Sequence, residues 1–378
     1  MTPYWRKKRT QGTSVRLLTD LLNAYSPSGK EAAVADRLIK EMRKMGYQTK
    51  MDSAGNAIGE IGKGTPSILL CGHMDTVPGQ IPVRIENGKL YGRGAVDAKG
   101  PLAAMVMAAA EAHKIEPNVK VTVVGVVEEE GTSRGIKQLI SEGIEADYAI
   151  FGEPSHVENI TIGYKGSLRL KLTFKTQGGH SSAPWLYENA IEKTFELWQQ
   201  IKDSIPSIEK QGTPYSAVTL CLIKVTGGKD SSAVPSKSEA LIDARIPPST
   251  TPDQVLNRIQ DVIKQFQQEH PKVAIKFEIE DSNEPFEADK TSPLVRALSL
   301  SIRKIRNKQV TLLHKTGTGD MNILGHAINV PIVTYGPGDS HLDHTKDENI
   351  EVKEYLDSIS ILKETIIRLS QLHKKEKA

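Results

Sequence analysis

Cysteine is nearly missing from this chain: of 378 residues only Cys71 and Cys221 carry a thiol. A disulfide framework is therefore excluded as the device that holds the fold. Each cysteine sits in an apolar run and reads as a buried thiol in a reducing compartment. Long apolar stretches are missing as well. No run approaches the roughly 20 residues of a membrane-spanning helix. The charged stretch near the start is followed by no apolar segment, so no signal peptide is expected. A strong charge of one sign is also lacking, since the net charge is only +3. The basic residues gather at the ends, as Arg6, Lys7, Lys8 and Arg9 and as Lys374, Lys375 and Lys377. Such runs ordinarily form solvated tails. Neither nucleic acid nor membrane is expected as a partner, and a cytoplasmic location is. Internal repeats and low-complexity segments are absent.

What is present is an ordinary globular composition, 38% hydrophobic and 25% charged, on a chain long enough for two or three domains. Residues 13–46 read as two amphipathic helices, with Leu17, Leu18, Leu21 and Leu22 on one stripe and Val34, Leu38, Met42 and Met45 on the other. Ser26-Pro27-Ser28-Gly29 is expected to end the first and cap the second. Apolar strands over 67–71, 119–127 and 146–151 alternate with helices over 100–113 and 136–142. Strands that are apolar on both faces predict an α/β fold, a mainly parallel sheet sandwiched by helices. From about Gly166 the texture changes to the strict alternation of half-exposed antiparallel strands. An α+β domain is thus expected as an insertion, giving boundaries of 1–165, 166–285 and 286–378.

Five short segments carry chemistry: CGHMDTVP at 71–78, YGRGAVDAKG at 91–100, VEEEGTSRG at 127–135, FGEPS at 151–155 and DHTKDE at 343–348. Each sets a His, Asp or Glu beside Gly or Pro, where strands should end. Three carboxylates and two imidazoles are what two zinc ions sharing one bridging ligand require. In open parallel sheets such groups converge at the carboxyl ends of strands.

With these motifs the chain resembles the dinuclear zinc amidohydrolase and aminoacylase superfamily, which includes acetylornithine deacetylase and succinyl-diaminopimelate desuccinylase. The resemblance covers essentially the whole length. It implies a metal-dependent amidase with two zinc ions per subunit, for which cobalt can substitute. It implies that His73 and Glu153 hold one ion, Glu130 and His344 the other, and that Asp97 bridges both. It implies a cis peptide between Asp97 and Ala98. Asp75 corresponds to a carboxylate that fixes the His73 ring. Glu129 corresponds to the general base, which takes a proton from the attacking water and delivers it to the leaving amine. The run Glu128-Glu129-Glu130 leaves a one-residue shift open, with 128 and 129 as the other pair. His341 competes with His344 for the last ligand position if the segment is helical.

The same resemblance makes the insertion a lid and dimerisation domain. His180, in GGHSSAP, corresponds to a histidine that stabilises the oxyanion across a homodimer interface. Arg245, in DARIPP, corresponds to a grip on a substrate carboxylate, which a planar guanidinium matches. Ser232 stands where relatives often have Asn, a departure that puts one substrate contact in doubt. The segment Lys315–Asn322 is most similar to members that release lysine or ornithine from the C-terminal glutamate of an amino-group carrier protein. Thr316, Gly317 and Asp320 are the substrate contacts this implies, Asp320 facing the ammonium of the released amino acid. An acidic carrier agrees with the mildly basic chain, and the pathway implied is lysine or arginine biosynthesis. A small-molecule N-acyl amino acid deacylase is the alternative, and a silent ligand-binding relative a second.

Overall fold

The computed structural model describes residues 4–206, 208–229 and 232–376, with side chains from residue 12 to 374. The terminal basic runs lie outside the described side chains, except Lys374, whose Nζ stands 3.1 Å from the Glu116 carboxylate. Two compact units emerge. The first runs to Ile162 and takes in Ala288–Leu313 and the chain from Ile323 onward; the second is Gly163–Glu287 with His314–Asn322.

The first unit is built on one sheet. Its strands lie in the order Gln48–Met51, Ala57–Ile61, Lys120–Val126, Ser67–His73, Tyr148–Gly152, Ile332–Thr334 and Asn159–Tyr164. The four central strands, from Lys120–Val126 to Ile332–Thr334, run parallel. The flanking pairs are antiparallel, so the sheet is mixed, with its parallel character at the centre. Ser67–His73 is buried along nearly all its length, as a strand covered on both faces must be. Helix Lys99–His113 packs against that strand and against helices Tyr4–Asn23 and Val352–Glu376. It is buried on almost every side, which explains its Ala- and Met-rich sequence: small side chains allow close approach from all directions. Helix Ala32–Lys44 is amphipathic as expected and buries Val34, Ala35, Leu38, Ile39 and Met42.

The connection between the first two helices departs from expectation. Helix one ends at Asn23 and helix two begins at Ala32, whose N-cap is Glu31. Ser26 and Ser28 cap neither. Their hydroxyls donate instead to the Met74 carbonyl at 2.7 Å and to Asp75 Oδ2 at 2.7 Å.

The second unit is a four-stranded antiparallel sheet, ordered Thr219–Gly227, Lys237–Ile246, Gly166–Lys175 and Ala274–Asn283. Helices Ala190–Ser204 and Pro252–Glu269 pack on it. The latter starts with a capping box between Thr251 and Gln254 and has Pro252 in its first turn. Leu168, Leu170, Leu172 and Phe174 alternate into the core. Cys221, expected buried, is exposed. It lies on an edge strand whose Leu220 and Leu222 face the core, so the pleat turns Cys221 outward.

Candidate active site

Three adjacent parallel strands bring the first groups to one end of the sheet. His73 is the last residue of Ser67–His73, and Glu128 to Glu130 follow Lys120–Val126. Glu153 follows Tyr148–Gly152. Asp97 comes from the loop before helix Lys99–His113, and the Asp97–Ala98 peptide is cis. His344 comes from the loop after the short 3-10 turn Ser340–Leu342, with φ of 61°.

Ligand atoms of His73, Asp97 and Glu153 lie within 4.8 Å of one another, and so do those of Asp97, Glu130 and His344. His73 Nε2 is 3.0 Å from Asp97 Oδ1 and 3.5 Å from Glu153 Oε1. His344 Nε2 is 3.0 Å from Asp97 Oδ2 and 2.7 Å from Glu130 Oε1. Asp97 thus offers one oxygen to each set. Glu128 is paired with Arg134 at 2.8 Å, and it is the Glu130 carboxylate that joins the second group. His341 is almost fully exposed and bonds Asp339 at 2.8 Å; it takes no part in either set.

Asp75 sits completely buried behind His73. The nearest acceptor to His73 Nδ1 is the Asp75 carbonyl, at 2.9 Å, with the carboxylate Oδ1 at 3.5 Å. A proton held on Nδ1 leaves Nε2 as the ligating nitrogen. The carboxylate has a second task. It accepts the backbone N–H of Glu129 on Oδ1 and that of Glu130 on Oδ2, each at 3.1 Å.

Charge is crowded here. Burial pushes the Glu130 carboxyl up to about 7, with the negative charge of Asp97 adding to it. Burial pushes Asp97 up as well, but hydrogen bonds from His344 and His73 outweigh that and hold it well below the usual carboxylate range. The contact with Asp97 raises His344 to about 9, burial opposing. Two imidazoles and three carboxylates sharing one central Asp are a donor set that fits divalent cations bound through nitrogen and oxygen. A cation would also relieve the repulsion that lifts Glu130.

The remaining expected residues belong to the second unit. His180 is exposed and pairs with Ala233 in an isolated bridge. It lines a cavity of about 420 Å³ together with Lys229, Ser232 and Lys237. Arg245 lies on strand Lys237–Ile246 with Nε 2.9 Å from Asp243. Thr316 and Gly317 are exposed, and Asp320, buried, opens helix Asp320–Ala327.

Two residues at the site escaped sequence reasoning. Ser28 donates to Asp75. Glu31 Oε1 accepts the N–H of Gly29 at 2.8 Å and of Glu128 at 3.2 Å. Both lie in a segment that carries turn residues, and turn chemistry alone gave no sign that it reaches the loop of residues 128–130.

The model of peptidase family M20/M25/M40 matches residues 69–368. A LysW-lysine/LysW-ornithine hydrolase of Saccharolobus solfataricus is 34% identical over 348 residues, covering 92% of this chain and 93% of that protein. A Pyrococcus furiosus protein bearing the same name in provisional form is 42% identical over 357 residues, covering 94% and 97%. Among solved structures, a Staphylococcus aureus tripeptidase superposes with a TM-score of 0.82 at 20% identity, over 96% of this chain and 99% of that one. An M20 family metallo-carboxypeptidase of Sulfolobus solfataricus gives 0.78 at 20% identity, over 94% and 99%. The chain belongs to peptidase family M20/M25/M40, a family of metal-dependent amide-bond hydrolases.

Proposed function

We propose that the protein hydrolyses the amide joining lysine, and also ornithine, to the C-terminal glutamate of an acidic amino-group carrier protein, in lysine and arginine biosynthesis. The observation that carries the catalytic part is Asp97, whose two oxygens serve two separate ligand sets. The names of relatives 34% and 42% identical over more than nine-tenths of the chain support the substrate.

In this reading His73, Asp97 and Glu153 hold one zinc and Asp97, Glu130 and His344 a second, with cobalt able to replace either. Bound there, the ions polarise the scissile carbonyl and lower the pKa of the attacking water. Glu129 takes the proton as the water oxygen bonds to the carbonyl carbon, and returns it to the amine as the C–N bond breaks. Asp75 orients the His73 ring and steadies the base by holding its backbone N–H. His180 stabilises the negative oxygen that develops, from the partner copy of a homodimer. Arg245 grips a substrate carboxylate, and Thr316, Gly317 and Asp320 contact the released amino acid. The second unit is then the lid and dimerisation domain. The enzyme works in the cytoplasm, which two cysteines without a disulfide support. Among the described residues no helix is long and apolar enough to cross a membrane.

The test is turnover by zinc-loaded protein of a carrier bearing lysine on its terminal glutamate, beside N-acetylornithine. Release of lysine that disappears in Glu129→Gln supports the reading. Turnover of acetylornithine alone keeps the site and replaces the substrate with a small N-acyl amino acid.

A further inference from the structure

One buried carboxylate beside the ligand sets has no part in the chemistry above. Glu348 lies four residues after His344 with its side chain 1% exposed. Its Oε1 accepts three backbone N–H groups, from Gly94 at 3.0 Å, Val96 at 2.9 Å and Asp97 at 3.1 Å. Its Oε2 pairs at 2.9 Å with Arg93, which is 6% exposed. Arg93 in turn donates through Nε to the Gly79 carbonyl at 2.9 Å. The loop from Arg93 to Asp97 therefore wraps around a single carboxylate, as backbone N–H groups do around an anion. Gly94 makes the wrap possible. Its φ is +90°, and a Cβ there would stand 3.0 Å from Lys99 and Thr76.

Replacing a buried ion pair by apolar residues of similar volume is often neutral or stabilising. Stability alone is thus a poor reason for this pair. Its placement gives a better one. Glu348 shares a segment with His344, and the amides it binds belong to the loop that carries Asp97. Immediately after it, Asn349–Glu351 pairs in fixed register with Lys89–Tyr91, just ahead of Arg93. The carboxylate thereby ties the two ligand loops together next to the point where His344 Nε2 and Asp97 Oδ2 stand 3.0 Å apart.

We propose that Glu348 is a positioning residue that sets Asp97 against His344, and with it the affinity of the cation position those two share with Glu130. It acts through the backbone of Gly94, Val96 and Asp97 and touches neither substrate nor metal. The proposal rests on the metal-centre reading above.

The experiment is chelator competition for zinc on metal-free wild-type protein and Glu348→Gln, with the melting temperature of each metal-free form as the control for folding. Glutamine keeps the size and one acceptor oxygen but removes the charge that faces Arg93. Partners behind metal ligands commonly change affinity ten- to a hundredfold, so folded Glu348→Gln should bind zinc at least about tenfold more weakly. Its kcat should fall at unchanged KM. A folded variant with wild-type zinc affinity overturns the proposal. Should Glu348→Gln not fold, Glu348→Asp takes its place. It keeps the charge but is one methylene short of reaching Arg93 and the three amides together, so the same loss is expected and wild-type affinity overturns the proposal. Failure of wild-type protein to take up zinc overturns this proposal and the metal-centre reading together. Normal wild-type uptake with an undisturbed variant sinks the role of Glu348 alone.

Discussion

Ser28 and Asp75 are 47 positions apart in the chain and 2.7 Å apart in space, hydroxyl to carboxylate. The same carboxylate holds the backbone N–H of Glu129 and of Glu130. A residue of the connection between the first two helices is therefore one bond away from the group that holds the backbone of residues 129 and 130.

Removing that hydroxyl should be felt in the chemistry more than in the fold. Ser28→Ala is expected to lower kcat about tenfold with KM nearly unchanged, because the Asp75 carboxylate loses one of the donors that orient it. The stability cost should be about 1 kcal/mol, the net worth of one hydrogen bond. Steady-state kinetics and a denaturant melt separate the two effects; an unchanged kcat would show that the backbone donors suffice.

Glu129 and Glu130 are neighbours to which the proposed mechanism gives different tasks, and substitution should part them. Glu129→Gln should cost about 10² to 10⁴ in kcat, the usual contribution of a positioned base, while metal content stays at the wild-type level. Glu130→Gln should lose metal from the set it shares with Asp97 and His344. Metal analysis after gel filtration, read beside kcat, decides; equal metal loss in both variants would remove the distinction.

The pH dependence of metal binding has a definite sign. In the metal-free protein His344 is raised from 6.5 to about 9 and Glu130 from 4.5 to about 7. A group whose folded value is raised adds stability that is complete below its ordinary value and lost as pH climbs through the folded one. Metal-free protein therefore loses the His344 contribution between pH 6.5 and 9 and the Glu130 contribution between 4.5 and 7. Zinc needs both groups deprotonated, so proton competition fades over the same range. Lys99 acts oppositely: burial pushes it down to about 7, so its cost to folding falls as pH rises. That cost is common to both forms, and the comparison of the two removes it. The rise in melting temperature on adding zinc should widen steadily from pH 6.5 to 9. A shift independent of pH would contradict these assignments.

Of the two thiols, only one should answer in the native state. Cys221 is exposed and Cys71 is fully buried. A chromogenic disulfide reagent should titrate one thiol rapidly in buffer and the second only in denaturant. Rapid reaction of both would mean that strand Ser67–His73 opens far more readily than its burial implies.

The central strands were legible because each is a short apolar run bounded by Gly, Pro or charge, and the residues expected at their carboxyl ends are among those the structure gathers into two groups. The flanking strands were not. Ala57–Ile61 has Gly59 at its middle, where Met42 and Tyr47 press close, and glycine carries no β signal. Gln48–Met51 is mostly polar and largely exposed, with no periodicity to mark it. His341 and His344 could not be separated by spacing. What separates them is a change of backbone direction after Leu342, from a 3-10 turn to an extended residue and then a positive φ at His344. Ser28 and Glu31 were invisible as site residues because their partners lie 47 and 97 positions away.

The two ligand sets also differ in when the chain can complete them. His73, Asp97 and Glu153 are all in place within the first 153 residues, whereas His344 arrives near the end. Strand Ile332–Thr334, which sits between Tyr148–Gly152 and Asn159–Tyr164, arrives equally late. At about 5–20 residues per second of synthesis, one set is fully spelled out roughly ten to forty seconds before the other. A nascent chain therefore passes through a stage in which the strand that joins Tyr148–Gly152 to Asn159–Tyr164 is not yet made and one of the two candidate ligand groups is incomplete.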